Sequence, residues 1–170
     1  MEIPDQLWQI IATIVGGLIS ASVGFFTQRI SERRSKNELL MRRLEEVYDH
    51  CQELYDEHNA RINWLLGQGS VSKEVYLTGP KHPGQLMSLV KMKVRSYAPN
   101  LTGSLNEMDQ GHQALKAYFL SLEELVLNGQ NLVKETDYKT EELKAHLHKL
   151  GTGANKVKLG SVAKLQRYFG

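Results

Sequence analysis

The chemistry open to this chain starts from its histidines, because a neutral imidazole binds transition metals and exchanges protons near neutral pH. The six histidines are His50, His58, His82, His112, His146 and His148. No two of them flank a glutamate at the four-residue spacing of zinc hydrolase helices, and no Glu-x-x-His sequence of the di-iron type occurs, Asp109 to His112 coming nearest. His146 and His148 would point to different sides of a helix. The spacing therefore predicts no metal site and no cofactor.

The other reactive residues form no catalytic motif. Cys51 is the single cysteine, which excludes an intramolecular disulfide, and we expect it to be a small core residue. The stretch "GTGANK" from Gly151 has some of the glycines of a phosphate-binding loop, but no strand precedes it and the third glycine is missing. Gly151 is therefore expected to end a helix. With no nucleophile elbow in the chain, the sequence predicts a protein that is not an enzyme.

The N-terminal segment has the pattern of a membrane anchor. Residues 6–28 contain no ionisable side chain, a length that crosses the ~30 Å core of a bilayer at ~1.5 Å per residue. Basic residues follow this run and are predicted to contact lipid headgroups: Arg29, Arg33, Arg34 and Lys36. The pattern predicts a short outer N-terminus (1–6), a transmembrane helix (7–27) and a cytoplasmic domain (28–170) in the inner membrane, with a buried soluble helix as the alternative.

Small and polar residues share one face of this segment. At ~100° per residue they fall within an arc of about 100°, opposite the larger apolar residues. They are Gln9, Thr13, Gly16, Gly17, Ser20, Gly24 and Thr27. Small residues let helices approach closely, so we expect a homo-oligomer in which this face packs or lines a polar pore. Chance placement of glycines is the alternative.

The rest of the chain is predicted to be an all-α bundle of four to five helices. The first helix continues from the membrane to about Leu66, and residues 67–84 form a long, glycine-punctuated loop. Helices are then expected over 85–97, from Ser104 to Leu127, and up to Leu150. A last segment, 155–169, is amphipathic and carries basic residues without an acidic one. It is expected to dock on the bundle, to contact lipid or to touch nucleic acid.

Arg43 and His50 bound the stretch "RLEEVYDH", and their seven-residue separation brings both side chains to one face of a helix. With this pair and its layout of one anchor before a helical domain, the chain resembles the small single-pass CRISPR-associated membrane accessory proteins that carry a degenerate HEPN-like domain. The resemblance implies an oligomeric pore with a role in antiviral defence, and it makes Arg43 and His50 the candidate catalytic residues for RNA cleavage. The pair lies in the first helix and Leu44 replaces the usual polar residue, so a chance pairing stays open.

Three functions follow from these patterns. The leading prediction is a self-associating single-pass membrane protein that acts as a pore or permeability effector. The second is a membrane-tethered adaptor whose bundle docks a cytoplasmic protein partner. The third is an HEPN-like protein that binds or cleaves RNA.

Overall fold

The computed structural model describes residues 5–80, 82–133 and 138–169, and for residues 5–15, 18, 19 and 167–169 it describes the helix without the side chains. The elements in chain order are α1 (Asp5–Gly67), β1 (Ser70–Val71), α2 (Lys73–Thr78), α3 (Leu86–Tyr97), a 3-10 turn (Pro99–Leu101), α4 (Thr102–Leu127), β2 (Leu132–Val133) and α5 (Thr140–Phe169). The prediction of a helical bundle is confirmed. By its contacts the chain divides into two compact units, residues 1–40 and 41–170.

The first unit does not contain the predicted membrane span. Within the part of the chain that the structure describes, no helix is both long enough and apolar enough to cross a membrane. The described side chains before Arg29 are mostly small or polar, so this stretch of the helix lacks the apolar surface that a bilayer core requires. The predicted transmembrane helix over 7–27 is therefore wrong, and so is the predicted single-pass location in the inner membrane.

The residues predicted to form the packing or pore face are exposed where they are described. Gly16, Gly17, Ser20, Gly24 and Thr27 all lie at the surface, whereas the side chains of residues 9 and 13, also predicted for this face, lie outside the described residues. The Thr27 hydroxyl donates to the backbone carbonyls of Val23 and Gly24.

The four basic residues after the segment, Arg29, Arg33, Arg34 and Lys36, are exposed as well. The guanidinium of Arg29 lies 5.2 Å from the centre of the Phe25 ring, so this side chain folds back along its own helix. The lipid contact predicted for these residues depended on the membrane location corrected above.

The core of the second unit includes the apolar stripes of α1 and α4. On α1 the stripe is Leu44, Val47, Cys51, Leu54, His58, Ile62 and Leu65, and each of these residues is at most 2% exposed. On α4 it is Leu105, Met108, His112, Leu115, Phe119, Leu122 and Val126, also buried. Their three-four spacing is that of helices with one buried face, and it was visible in the sequence.

The long connection between α1 and α3 is partly ordered into elements that the sequence did not predict. The Ser72 side chain caps α2 by accepting a hydrogen bond from the Val75 amide. β1 forms a two-residue antiparallel pair with β2, in the register Ser70 to Val133 and Val71 to Leu132. Because this short pair joins segments far apart in sequence, it anchors the loop that carries His82.

α5 is continuous through Gly151, where the sequence predicted a helix end. The reason is packing rather than chain reversal: a Cβ on Gly111 would lie 2.5 Å from the Leu150 nitrogen, and one on Gly153 would lie 2.6 Å from the Met108 Cα. Glycines therefore let the backbones of α4 and α5 meet. α4 ends at Leu127, and in the turn that follows, Gly129 has a φ of 84°, which lets the amides of Gly129 and Gln130 bond back to the helix carbonyls.

Candidate functional site

Three histidines meet inside the second unit. His58 lies on the buried face of α1, His112 on the buried face of α4, and His82 on the loop between α2 and α3. Nε2 of His58 and Nδ1 of His112 are 3.0 Å apart and share a hydrogen bond. The ring centres are 5.2 to 5.3 Å apart in all three pairs, so the three imidazoles form one cluster, which we call the histidine cluster.

The cluster has spare coordinating capacity. One ring nitrogen from each histidine can be chosen so that all three lie within 4.8 Å of one another. In addition, Nε2 of His82 is buried and has no hydrogen-bond partner among the described residues. Buried polar atoms without partners are uncommon in folded proteins, and they often mark a place where a ligand or ion belongs.

Burial keeps these imidazoles neutral. It lowers the pKa of His58 to about 3 and that of His82 to about 4, and nearby cationic groups, including Arg61, act in the same direction. Burial also lowers the pKa of His112, partly offset by the carboxylate of Asp109. A metal ion binds the neutral form of imidazole, which is the form that burial favours here.

Arg61 lies beside the cluster, one helical turn after His58 on α1. It is 6% exposed, its Nη2 donates to the Tyr76 hydroxyl at 3.1 Å, and its guanidinium lies 4.0 Å from the centre of the Phe119 ring. The Tyr76 hydroxyl in turn donates to the Phe119 carbonyl at 3.0 Å. These contacts hold the cation in place, but they do not neutralise its charge.

The distances suit a metal with nitrogen ligands. Tetrahedral zinc with Zn–N bonds of 2.0–2.1 Å keeps its ligand nitrogens about 3.3 Å apart, close to the separation between His58 and His112. The third nitrogen would need to approach by at most roughly 1.5 Å. His82 is only partly buried and lies on a loop, so it is the ligand that can move most easily.

Sequence reasoning missed this cluster. The three-four spacing of apolar residues on α1 and α4 includes His58 and His112. The sequence nevertheless predicted no metal site, because it contains no local metal-binding motif. The available signal was two histidines on apolar helical faces together with a third in a loop of unusual length. Nothing in that pattern says that the three residues meet, because they are separated by 24 and 30 positions.

The candidate catalytic pair lies elsewhere in the unit. The carboxylate of Glu46 binds Arg43 at 3.0 Å and Lys93 at 2.7 Å, while its backbone carbonyl contacts Nδ1 of His50. The Lys93 ammonium, together with the Arg43 guanidinium, lowers the pKa of Glu46. Glu46 therefore engages both members of the pair, and RNA cleavage by Arg43 and His50 stays a prediction.

Comparison with models of known protein families, with curated proteins and with solved structures gives no match to this chain. The function is therefore inferred from the site itself.

Proposed function

We propose that the second unit, residues 41–170, binds a divalent transition metal ion through His58, His82 and His112. The observation that carries this proposal is the meeting of three buried or half-buried imidazoles, with ligand nitrogens within 4.8 Å, from three separate segments of the chain. The neutral state of the imidazoles at physiological pH supports it.

The donor set limits the choice of metal. Imidazole nitrogen suits zinc, copper, nickel, cobalt and iron, whereas calcium and magnesium prefer oxygen ligands. Three protein ligands also leave one position of a tetrahedral ion open for solvent or another ligand. The proposed site is therefore one that holds a metal with an open position, rather than a closed structural site.

Metal binding would also stabilise the fold. The ligands come from α1, the α2–α3 loop and α4, so an ion that binds all three ties the loop to the two long helices. A ligand that binds only the folded state stabilises it by RT ln(1 + [L]/Kd), about 2.7 kcal/mol at a hundredfold excess over Kd.

The test is titration of the chelator-treated full chain with Co²⁺, followed by absorption, and with Zn²⁺, followed by calorimetry. We expect one ion per chain, and at least about a hundredfold weaker binding in His82→Ala, because a site of three ligands would be reduced to two. His82 is the best first target since it is the least buried of the three. The matched control is His148→Ala, an exposed histidine on α5, which should bind as wild type does.

Two results would contradict the proposal. One is the absence of stoichiometric binding by the folded wild-type chain. The other is His82→Ala with wild-type affinity, which would show that the ion binds elsewhere.

We further propose that the chain self-associates through its first unit. The described side chains between residues 16 and 36 are all exposed, and they include the large apolar residues Val23, Phe25, Phe26 and Ile30. A Cβ added at Gly16, Gly17 or Gly24 would meet no atom within 4 Å, so packing within the chain does not explain these glycines. A second copy of the helix would cover these apolar side chains, which lie away from the face that carries the glycines.

A further inference from the structure

Arg61 is a buried cation that has no acidic partner among the described residues. Among the described residues no carboxylate forms an ion pair with it, and its Nη1 is buried without a hydrogen-bond partner. Its packing on Phe119 and its bond to Tyr76 offset part of the desolvation cost. A buried charge normally requires a counter-ion as well, because an interior of low dielectric does not screen it.

Further positive charge surrounds the histidine cluster. Besides Arg61, the ammonium groups of Lys91 and Lys116 lie close enough to the cluster to act electrostatically on its histidines. The carboxylate of Asp109 also acts on His112, but it is paired with Lys91 at 2.7 Å. A divalent ion bound by three neutral imidazoles would therefore add two positive charges to a region that is already positive.

We infer that the histidine cluster binds its metal ion together with a small oxyanion of the carboxylate or phosphate class. One oxygen of the anion would occupy the open coordination position, and a second would accept a hydrogen bond from Nη1 of Arg61. This inference rests on the metal site proposed above and names the class of ligand that this site takes.

The class of anion follows from the two groups that it must join. A carboxylate or phosphate carries two or more oxygens on one atom, so one oxygen can bind the metal while another accepts a charge-assisted hydrogen bond from Nη1 of Arg61. An oxygen of the same group is also an acceptable fourth ligand for a zinc-like ion. A hydroxide or halide offers a single atom, so it could bind the metal but could not join it to Arg61 in this way.

Joint binding of a metal ion and an oxyanion at one site has a thermodynamic consequence. If metal and oxyanion bind together, each must tighten the binding of the other by the same factor. Arg61 should have opposite effects on the two ligands: its charge repels the metal alone and attracts the anion. Replacing Arg61 by Met removes the charge but keeps an unbranched side chain over the Phe119 ring.

The experiment is a Co²⁺ titration of the full chain in a non-coordinating buffer at constant ionic strength, without anion and with acetate or methylphosphonate. In wild type we expect either oxyanion to tighten Co²⁺ binding about tenfold and to change the Co²⁺ absorption spectrum. Arg61→Met should bind Co²⁺ more tightly than wild type in the absence of anion and should lose the tenfold enhancement. Arg95→Met, which removes an exposed arginine of α3, should behave as wild type.

The outcomes separate this inference from the metal site itself. If wild type binds no Co²⁺, the proposed function fails. If Co²⁺ binds but neither anion changes its affinity or its spectrum, the metal site stands and the proposed binding of an oxyanion is overturned. This outcome is measured on wild type alone, so it does not depend on whether Arg61→Met folds. If Arg61→Met folds and keeps the full enhancement, the assigned role of Arg61 is overturned. A response to acetate alone identifies a carboxylate ligand, and a response to both anions identifies the wider oxyanion class.

Discussion

At the scale of single residues, burial determines which polar side chains keep their ordinary chemistry. Cys51 is fully buried and its sulfur lies 3.9 Å from that of Met108. Burial raises the pKa of the Cys51 thiol to about 12, although Lys158 acts weakly against this shift. The thiol therefore stays protonated at neutral pH, in agreement with its interpretation as a core residue.

Cys51 should accordingly be inert in the folded protein. Because the thiolate is the reactive form and the folded-state pKa lies far above 8, we expect no reaction with a disulfide reagent at pH 8 within the time in which the unfolded chain reacts fully. The absorbance of the thiol that the reagent releases, recorded with and without denaturant, measures the rate at which Cys51 reacts. Fast labelling of the native chain would mean that α1 opens readily at this position.

Tyr76 links the buried cation to the backbone, and its hydroxyl makes two hydrogen bonds. Tyr76→Phe leaves Nη2 of Arg61 and the Phe119 carbonyl without these partners, so we expect a loss of about 1–3 kcal/mol in the free energy of unfolding. Urea denaturation measures it. Tyr48→Phe, at an exposed tyrosine, should change stability by less than about 0.5 kcal/mol. Equal effects of the two substitutions would show that the buried network contributes little.

At the scale of secondary-structure elements, the crossing of α4 and α5 depends on two glycines. Gly111 faces the backbone at Leu150, and Gly153 faces the backbone at Met108. Neither neighbour can move aside as a flexible side chain could, so any added carbon must push the helices apart. Gly111 and Gly153 therefore serve the contact between two long helices rather than a turn.

Gly111→Ala and Gly153→Ala should each destabilise the protein by about 1–3 kcal/mol, because the core is overpacked at the crossing. Gly103→Ala is the control: it lies on α4 with no atom within 4 Å of an added Cβ, and it should be neutral or stabilising by up to about 1 kcal/mol. Thermal and urea unfolding report both effects. If Gly153→Ala were as stable as Gly103→Ala, the close contact of α4 and α5 would be disproved.

At the scale of the whole molecule, the chain combines two units of different character. The second unit has a core that is nearly closed to solvent, and it contains the histidine cluster. The first unit exposes every side chain described between residues 16 and 36. This difference is the reason for assigning metal binding to one unit and self-association to the other.

Self-association should depend on the exposed apolar residues of the first unit. We expect the double substitution Phe25→Asp with Phe26→Asp to lower the mass of the assembled particle to that of a monomer, because buried carboxylates would oppose helix contact. Leu159→Asp is the control, since Leu159 is 70% exposed on α5 of the second unit. Sedimentation velocity over a range of concentrations measures the mass. A wild-type chain that is monomeric at every concentration would refute self-association.

Much of the second unit was predictable because helical periodicity is a local property. The spacing of apolar residues identified the buried stripes of α1 and α4, including the inward positions of His58 and His112. The helix ends near Leu66, Tyr97 and Leu127 also followed from local signals. The sequence failed at Gly151, where the helix continues and the glycine lies against the Tyr55 ring of α1, and in the first unit, where the polar and small residues of the apolar run were given too little weight.

The sequence by itself thus determined which faces of the helices are buried, since the period of an α-helix is fixed by its own geometry. The tertiary structure alone decided which buried faces meet. It placed His82 against His58 and His112, and Arg61 near His58 and His82, through contacts between segments far apart in the chain. No local pattern encodes such a meeting, because it results from how the helices and the intervening loop pack, and the proposed metal and oxyanion site exists only at that level.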